Sequence, residues 1–195
     1  MASSVLALLL ASSILAQAQA GGLTLADIGP APPVELVDAA GHPFALADLG
    51  GKAVLVSFIY TTCNGTCPAT TATLDRARRA LRDAGLWGRR VEFVSITLDS
   101  ARDTPEALAA YARAYRADPR SWHFLTGPPT DVARVIAAWD MWARVGPSGV
   151  IDHPSRVFLI DPRGRRREIY NLESLTPEAV LQDVKAVLAE ADATR

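Results

Sequence analysis

The sequence predicts an α/β domain in which a mixed β-sheet is covered by helices on both faces, and three observations carry that prediction. Two nearly continuous apolar runs, A-V-L-V-S-F-I-Y (residues 53–60) and V-E-F-V-S-I-T-L-D (residues 91–99), have the length and composition of strands that need cover on both sides. Helix-start chemistry follows each of them and recurs near the end of the chain, at Pro68, Thr104-Pro105 and Thr176-Pro177. Late in the chain, S-R-V-F-L-I-D-P-R-G-R-R-R-E-I-Y (residues 155–170) reads as strand, turn, strand, and the D-P-R-G turn is too short for anything but antiparallel pairing.

Taken in order, residues 1–20 are uncharged, have an apolar centre over residues 5–16 and end in A-Q-A twice. That is the pattern of a secretory signal, and its centre is shorter than the roughly 20 apolar residues a membrane span needs. Export is therefore expected, with cleavage near Ala18 or Ala20 and retention as an uncleaved anchor as the alternative. The usual positive residue ahead of the apolar run is missing. Residues 21–33, rich in Gly, Ala and Pro, read as a flexible lead-in to one domain over residues 34–195.

Within that domain, residues 34–46 form a short β-hairpin turning at Gly41. After the first internal strand, Pro68 at the first helical position opens a helix that Gly85 ends. Cys67 then falls at the cap or in the first turn, its sulfur toward the positive helix end, where thiolate is favoured. After the second internal strand, Thr104 caps a helix that runs to about Asp118-Pro119. W-H-F-L-T-G (residues 122–127) is a short strand and residues 129–142 another helix; the hairpin and an amphipathic helix capped by Thr176 close the chain. A βαβ core feeding a ββα unit is the order expected of a thioredoxin-like fold.

Formal net charge is -1, with 20 basic against 21 acidic residues, so nothing attracts the whole molecule to nucleic acid or to an anionic membrane. A partner must be recognised by a local patch, membrane contact is expected only through that partner or the N-terminal segment, and the chain is read as a monomer. Trp122, Trp139 and Trp142 are assigned to packing, with an exposed one as a docking mark, and residues 165–167 (R-R-R) to a solvated turn.

Both cysteines lie in T-T-C-N-G-T-C-P (residues 61–68), in the loop leaving the carboxyl end of the first internal strand, the edge at which open α/β sheets bind ligands. Their spacing is one residue longer than C-x-x-C. A structural disulfide, a redox pair and a shared metal site all fit, and the cysteines alone do not rank them. Of three histidines, His42 belongs to a G-H-P turn and His123 to the short strand. His153 sits in G-V-I-D-H-P-S, directly ahead of the strand R-V-F-L-I-D, with Pro154 holding its backbone extended. Were that strand beside residues 53–60, the imidazole would reach the cysteine loop.

These pieces together resemble the Sco/SenC family of copper-binding assembly factors for cytochrome c oxidase. The resemblance runs through residues 36–52, F-I-Y-T-x-C-x-x-x-C-P at residues 58–68, S-I-T-L-D-S-A-R-D-T-P-E at residues 95–106, W-H-F-L-T-G, and D-H-P-S-R-V-F-L-I-D-P-R-G at residues 152–164. It implies a thioredoxin-like domain that binds one copper ion, as Cu(I) or Cu(II), through Cys63, Cys67 and His153, and delivers it in the periplasm to the dinuclear copper centre of the oxidase. The filler Asn64-Gly65-Thr66 departs from the frequent proline-containing one.

Ligand chemistry agrees: two thiolates and an imidazole make a soft, near-trigonal set suited to Cu(I), although zinc takes the same set. Asp99, Asp103 and Asp152 are candidates to orient His153 through its second nitrogen or to offer an axial oxygen, and Arg102 is a candidate partner contact. Asp103 and Asp99 serve equally well as a helix cap and a strand end, and Arg102 as an acid's partner. Three other readings stay open: a thiol–disulfide oxidoreductase cycling Cys63 and Cys67, a peroxide-reducing enzyme of related fold, and an exported interaction domain with a structural disulfide.

Overall fold

The computed structural model describes residues 24–194, so the predicted signal over residues 1–20 lies outside the described residues. In chain order the elements are β1 (Gly29–Pro30), β2 (Glu35–Asp38), β3 (Pro43–Ala45), a 3-10 turn (Leu46–Leu49), β4 (Ala53–Ile59), α1 (Thr66–Asp83) and β5 (Val91–Thr97). There follow α2 (Pro105–Ala114), β6 (Trp122–Thr126), α3 (Pro129–Ala138), β7 (Arg144–Val145), β8 (Ile151–Asp152), β9 (Val157–Ile160), β10 (Arg165–Tyr170) and α4 (Pro177–Ala193). Among the described residues, no helix is long and apolar enough to cross a membrane.

Eight strands form one mixed sheet in the order β1-β10-β9-β4-β5-β6-β2-β3. The apolar runs become β4 and β5, parallel neighbours buried at every position, so both faces of the sheet are covered. Helix α1 packs against α4, and a Thr71–Tyr111 hydroxyl contact at 2.9 Å joins it to α2. Trp139, just after α3, meets Phe58 and Phe158 edge-on and is fully buried. A charged residue is buried in β5: Glu92, which is paired with Lys52 and lies 2.7 Å from His123 Nε2. His123 is thus a hydrogen-bonded sheet histidine.

The pairing that matters for function is β9 against β4, antiparallel, with Ser57 opposite Val157 and Val54 opposite Ile160. Because the two strands run oppositely, the residues just before β9 lie beside those just after β4. His153 is thereby carried to the cysteine loop.

Several expectations need correction. The lead-in is tied down from Leu25 onward: Gly29–Pro30 pairs with β10, and the Leu25 and Ala26 carbonyls accept from Arg167. Residues 165–167 are not a solvated turn but the start of β10. The register shifts between Arg166 and Glu168, and that bulge turns Arg167 inward, 5% exposed, onto Asp161 and Glu190.

Helices α2 and α3 end about four residues earlier than the sequence suggests. Arg116 and Asp140 adopt left-handed backbone (φ 52° and 54°), letting Ala117 N–H reach the Ala112 carbonyl and Met141 N–H the Ile136 carbonyl, both at 3.0 Å. These are glycine-type stops made without glycine. At the end of α1 the expected Gly85 does the same work at φ 71°.

Candidate metal centre

The strand β4 ends at Ile59, and a turn with Cys63 N–H on the Tyr60 carbonyl (3.2 Å) sets the first cysteine. Asp103 anchors this turn from below. It is 0% exposed, and its carboxylate accepts from Thr61 N–H (3.1 Å), Thr61 Oγ1 (2.6 Å) and Thr97 Oγ1 (2.6 Å). Asp103 therefore supports the loop rather than capping α2, a task that falls to Thr104 Oγ1 accepting from Ala107 N–H.

The helix α1 begins at Thr66, two residues ahead of the expected Pro68, so Cys67 is its second residue and points into the core, 2% exposed. Cys63 stays half-buried at the rim, and both thiols are free.

This placement reverses the expected electrostatics. Burial, reinforced by the neighbouring Cys63 sulfur, pushes the Cys67 thiol up to about 12 despite its place at the helix start. For Cys63 burial also resists ionisation. It is outweighed by hydrogen bonds from Cys67, from the backbone N–H of Cys67 and Gly65, and from the Tyr60 hydroxyl, and the thiol titrates below its ordinary value. The orphan N–H groups of the loop thus serve Cys63, Gly65 N–H lying 3.4 Å from its sulfur.

His153 enters from the other side of the cleft. Its Nε2 is 3.5 Å from Cys67 Sγ, while its Nδ1 lies 2.9 Å from the Pro154 carbonyl oxygen. A carbonyl only accepts, so Nδ1 carries the proton and Nε2 presents a lone pair to the sulfurs. A backbone carbonyl, not the expected carboxylate, orients this ring. Asp152 sits exposed in β8, and Asp99 is paired with Arg102, whose Nη2 donates to the Gly149 carbonyl at 3.2 Å. Arg102 and Asp99 brace the β7–β8 hairpin that leads into His153, a hairpin the sequence reading does not contain.

The Sγ atoms of Cys63 and Cys67 and the imidazole nitrogen all lie within 4.8 Å of one another. A three-coordinate ion with metal–sulfur bonds of about 2.3 Å holds its ligands about 4 Å apart, so shifts under about 1 Å complete the site. The donor set fits a soft ion: two sulfurs, one neutral imidazole in the right tautomer, and no carboxylate among them. Tyr60 is the one neighbour the sequence reading misses. It ends the apolar run of residues 53–60, and its hydroxyl accepts from Ile151 N–H at 3.4 Å while its ring stands edge-on to His153.

Comparison with known proteins places the chain among members of one family. The SCO1/SenC family model matches residues 29–189. The SCO1 protein homolog of Bacillus subtilis (strain 168) is 30% identical over 151 residues, which cover 75% of this chain and 76% of that protein. The mitochondrial SCO2 homolog of Homo sapiens is 30% identical over 160 residues, covering 79% of this chain but 58% of the relative, so the chain spans little more than half of that protein. Among solved structures, copper-bound ScoI of Bradyrhizobium japonicum matches with TM-score 0.70 and 30% identity over 82% of this chain and 99% of that one.

Proposed function

The chain belongs to the SCO1/SenC family, and we propose that it is a copper metallochaperone that carries one ion between Cys63, Cys67 and His153 and hands it to a thiolate-bearing recipient. The single observation that carries this reading is the His153 ring: its protonated Nδ1 is fixed on the Pro154 carbonyl and its Nε2 lone pair faces the two sulfurs. A plain dithiol protein has no need of that arrangement.

Copper is the cargo, and the three-ligand set leaves a fourth position through which a recipient's sulfur can enter. Cys63, half-buried at the rim, is the ligand a recipient reaches first, while Cys67 is sealed in the core. Transfer then proceeds by exchange of Cys63 for an incoming thiolate, with Cys67 and His153 releasing later. The recipient in this reading is the dinuclear copper centre of an oxidase or another copper chaperone, reached outside the cytoplasm. Family membership and the signal-like residues 1–20 support that location.

The test is anaerobic titration of the reduced chain with Cu(I). One ion per chain is expected, with retention weakened sharply in both Cys63→Ser and His153→Ala. Unchanged retention without His153 overturns the three-ligand reading.

One observation favours a second activity of the same pair. Cys63 is the more acidic thiol and the more accessible one, the combination a nucleophile in disulfide exchange needs. Its thiolate would attack a partner disulfide, forming a mixed disulfide and expelling one partner thiolate. Cys67, losing its proton, would then displace the second partner thiolate, leaving Cys63–Cys67 oxidised and the partner reduced by two electrons.

A further inference from the structure

The chain as a whole is close to neutral, with a formal net charge of -1, yet one groove in it is strongly basic. The groove runs between the second half of α1 and the turn that ends α2 and has a volume of about 670 Å3. Its walls carry Arg76, Arg78, Arg79, Arg82 and Arg116, with Asp75 as the one carboxylate among them, so most of the positive charge is unmatched. The Thr71–Tyr111 hydroxyl contact at 2.9 Å ties the two helices together, which leaves the groove preformed.

The neighbours of these arginines do not remove the excess. Arg78 and Arg79 share Asp75, each at 2.6 Å. Arg76 donates to the Thr73 hydroxyl at 2.8 Å, a neutral acceptor. Arg82 stands 3.5 Å from Asp83, but both side chains are more than half exposed, where such a pair contributes little. Arg116 makes no ion pair among the described residues. The helix also sets its own cations against one another: Arg76 and Arg79, and Arg79 and Arg82, are three residues apart, and Arg78 and Arg82 four, spacings at which like charges repel.

A basic helix end ordinarily complements the helix dipole. That accounts for Arg82 in the last turn of α1 and for Arg116 just past α2, but not for the three arginines farther inside α1. Nor does the stop after α2 call for arginine. Glycine or asparagine takes left-handed backbone at less cost, so at Arg116, with φ 52°, the chain accepts strain and adds a cation to a wall that is already repulsive.

We infer that this groove is a binding site for a soluble polyanion bearing several phosphate groups, gripped by guanidinium forks from α1 and from the end of α2. Each planar guanidinium offers parallel N–H groups to two phosphate oxygens, a match that a lysine ammonium lacks. Cations on the walls of a concave groove converge on a discrete anion, whereas a flat bilayer meets only the rim. The bound anion relieves the repulsion along α1 and therefore stabilises the fold. Arg79 and Arg82 lie about 18–22 Å along the helix from Cys67, so occupancy leaves the metal centre open, and the inference does not depend on the copper reading.

The probe is inorganic tripolyphosphate, titrated calorimetrically into the reduced, metal-free chain at about 150 mM salt, where charges not in close contact are largely screened. The thermal midpoint is followed alongside. Three variants are compared with the parent: Arg79→Gln with Arg82→Gln; Arg116→Gly, which removes a cation and relaxes the backbone; and Arg89→Gln with Arg134→Gln, which removes two exposed cations outside the groove.

Expected are saturation at one tripolyphosphate per chain and a midpoint that rises with probe concentration. Affinity should fall about tenfold or more in the Arg79/Arg82 variant and about fivefold in Arg116→Gly, without loss of stability in the latter, and stay within about twofold in the Arg89/Arg134 control. Equal weakening in the control, or binding that never saturates, reduces the groove to diffuse surface charge and overturns the inference. Adsorption to phosphatidylglycerol vesicles without saturable tripolyphosphate binding overturns it too, since the face is then a membrane contact. Should the Arg79/Arg82 variant fail to fold, Arg116→Gly decides alone: unchanged affinity in that chain sinks the site.

Discussion

His153 Nε2 stands 3.5 Å from Cys67 Sγ although 86 residues separate the two in the chain. One strand pairing creates that closeness. The strand β4 delivers the cysteine loop at its carboxyl end, and β9, antiparallel to it, delivers His153 at its amino end. Each side chain has its own anchor: Cys67 lies buried in the first turn of α1, and the imidazole Nδ1 lies 2.9 Å from the Pro154 carbonyl oxygen. A preset pair of this kind needs only the half-buried Cys63 to swing in when the ion arrives.

The unequal sulfurs predict how binding responds to pH. At neutral pH Cys67, with its thiol pushed up to about 12 by burial and by the nearby Cys63 sulfur, still holds its proton and must lose it to ligate copper. Cys63, held below the ordinary thiol value, gives up a proton only while pH is below that lowered value. Affinity should therefore rise about tenfold per pH unit for each proton displaced, with at least the Cys67 proton counted throughout pH 6–8. Competition against a Cu(I) chelator at pH 6, 7 and 8 measures this, and a flat profile would contradict the assignment.

Asp103 predicts a coupled loss of stability and copper retention. Its carboxylate holds one N–H and two hydroxyls in a site with no exposure, so Asp103→Ala leaves three donors without their acceptor. The cost should be about 3 kcal/mol or more in urea unfolding, with Asp103→Asn retaining part of it. Since Thr61 begins the cysteine loop, retention of Cu(I) by the folded fraction should fall about tenfold or more. A variant as stable as the parent would show that the loop does not depend on this anchor.

How much of this was legible in the sequence depends on the length scale of each signal. The runs at residues 53–60 and 91–99 announce central strands because nearly every position is apolar or small. The D-P-R-G turn fixes β9 against β10, but the pairing of β9 with β4 that brings His153 to the cysteine loop is not legible from that turn. The β7–β8 hairpin escapes because each strand is two residues long, too short for any periodicity to register. The ends of α2 and α3 escape because Arg116 and Asp140 take left-handed backbone that glycine usually supplies. The sulfur electrostatics run opposite to the sequence expectation for a different reason. Helix position is visible in sequence, but whether a side chain turns toward the core or the rim is not, and burial outweighs the helix end at Cys67.

Arg167 is the other residue whose role burial alone reveals, and it predicts that charge alone is not enough there. Its guanidinium serves Asp161 at 3.0 Å, Glu190 at 2.7 Å, and the Leu25 and Ala26 carbonyls at 2.6 and 3.0 Å. Asp161 in turn accepts from the N–H groups of Arg163 and Arg165, closing the hairpin turn between β9 and β10. Removing the cation in Arg167→Met strands a buried carboxylate and should cost about 3–5 kcal/mol. Lysine restores the charge but reaches one or two of the four acceptors, so Arg167→Lys should recover less than half of that loss. Urea unfolding compares the three chains, and amide exchange over residues 25–30 locates the damage, because those residues hang on β10 through this side chain, the Arg165–Asp27 ion pair and the short β1 pairing. An Arg167→Lys chain as stable as the parent, with unchanged exchange at residues 25–30, would mean that a point charge suffices and that the planar fork plays no part in holding the lead-in to the sheet.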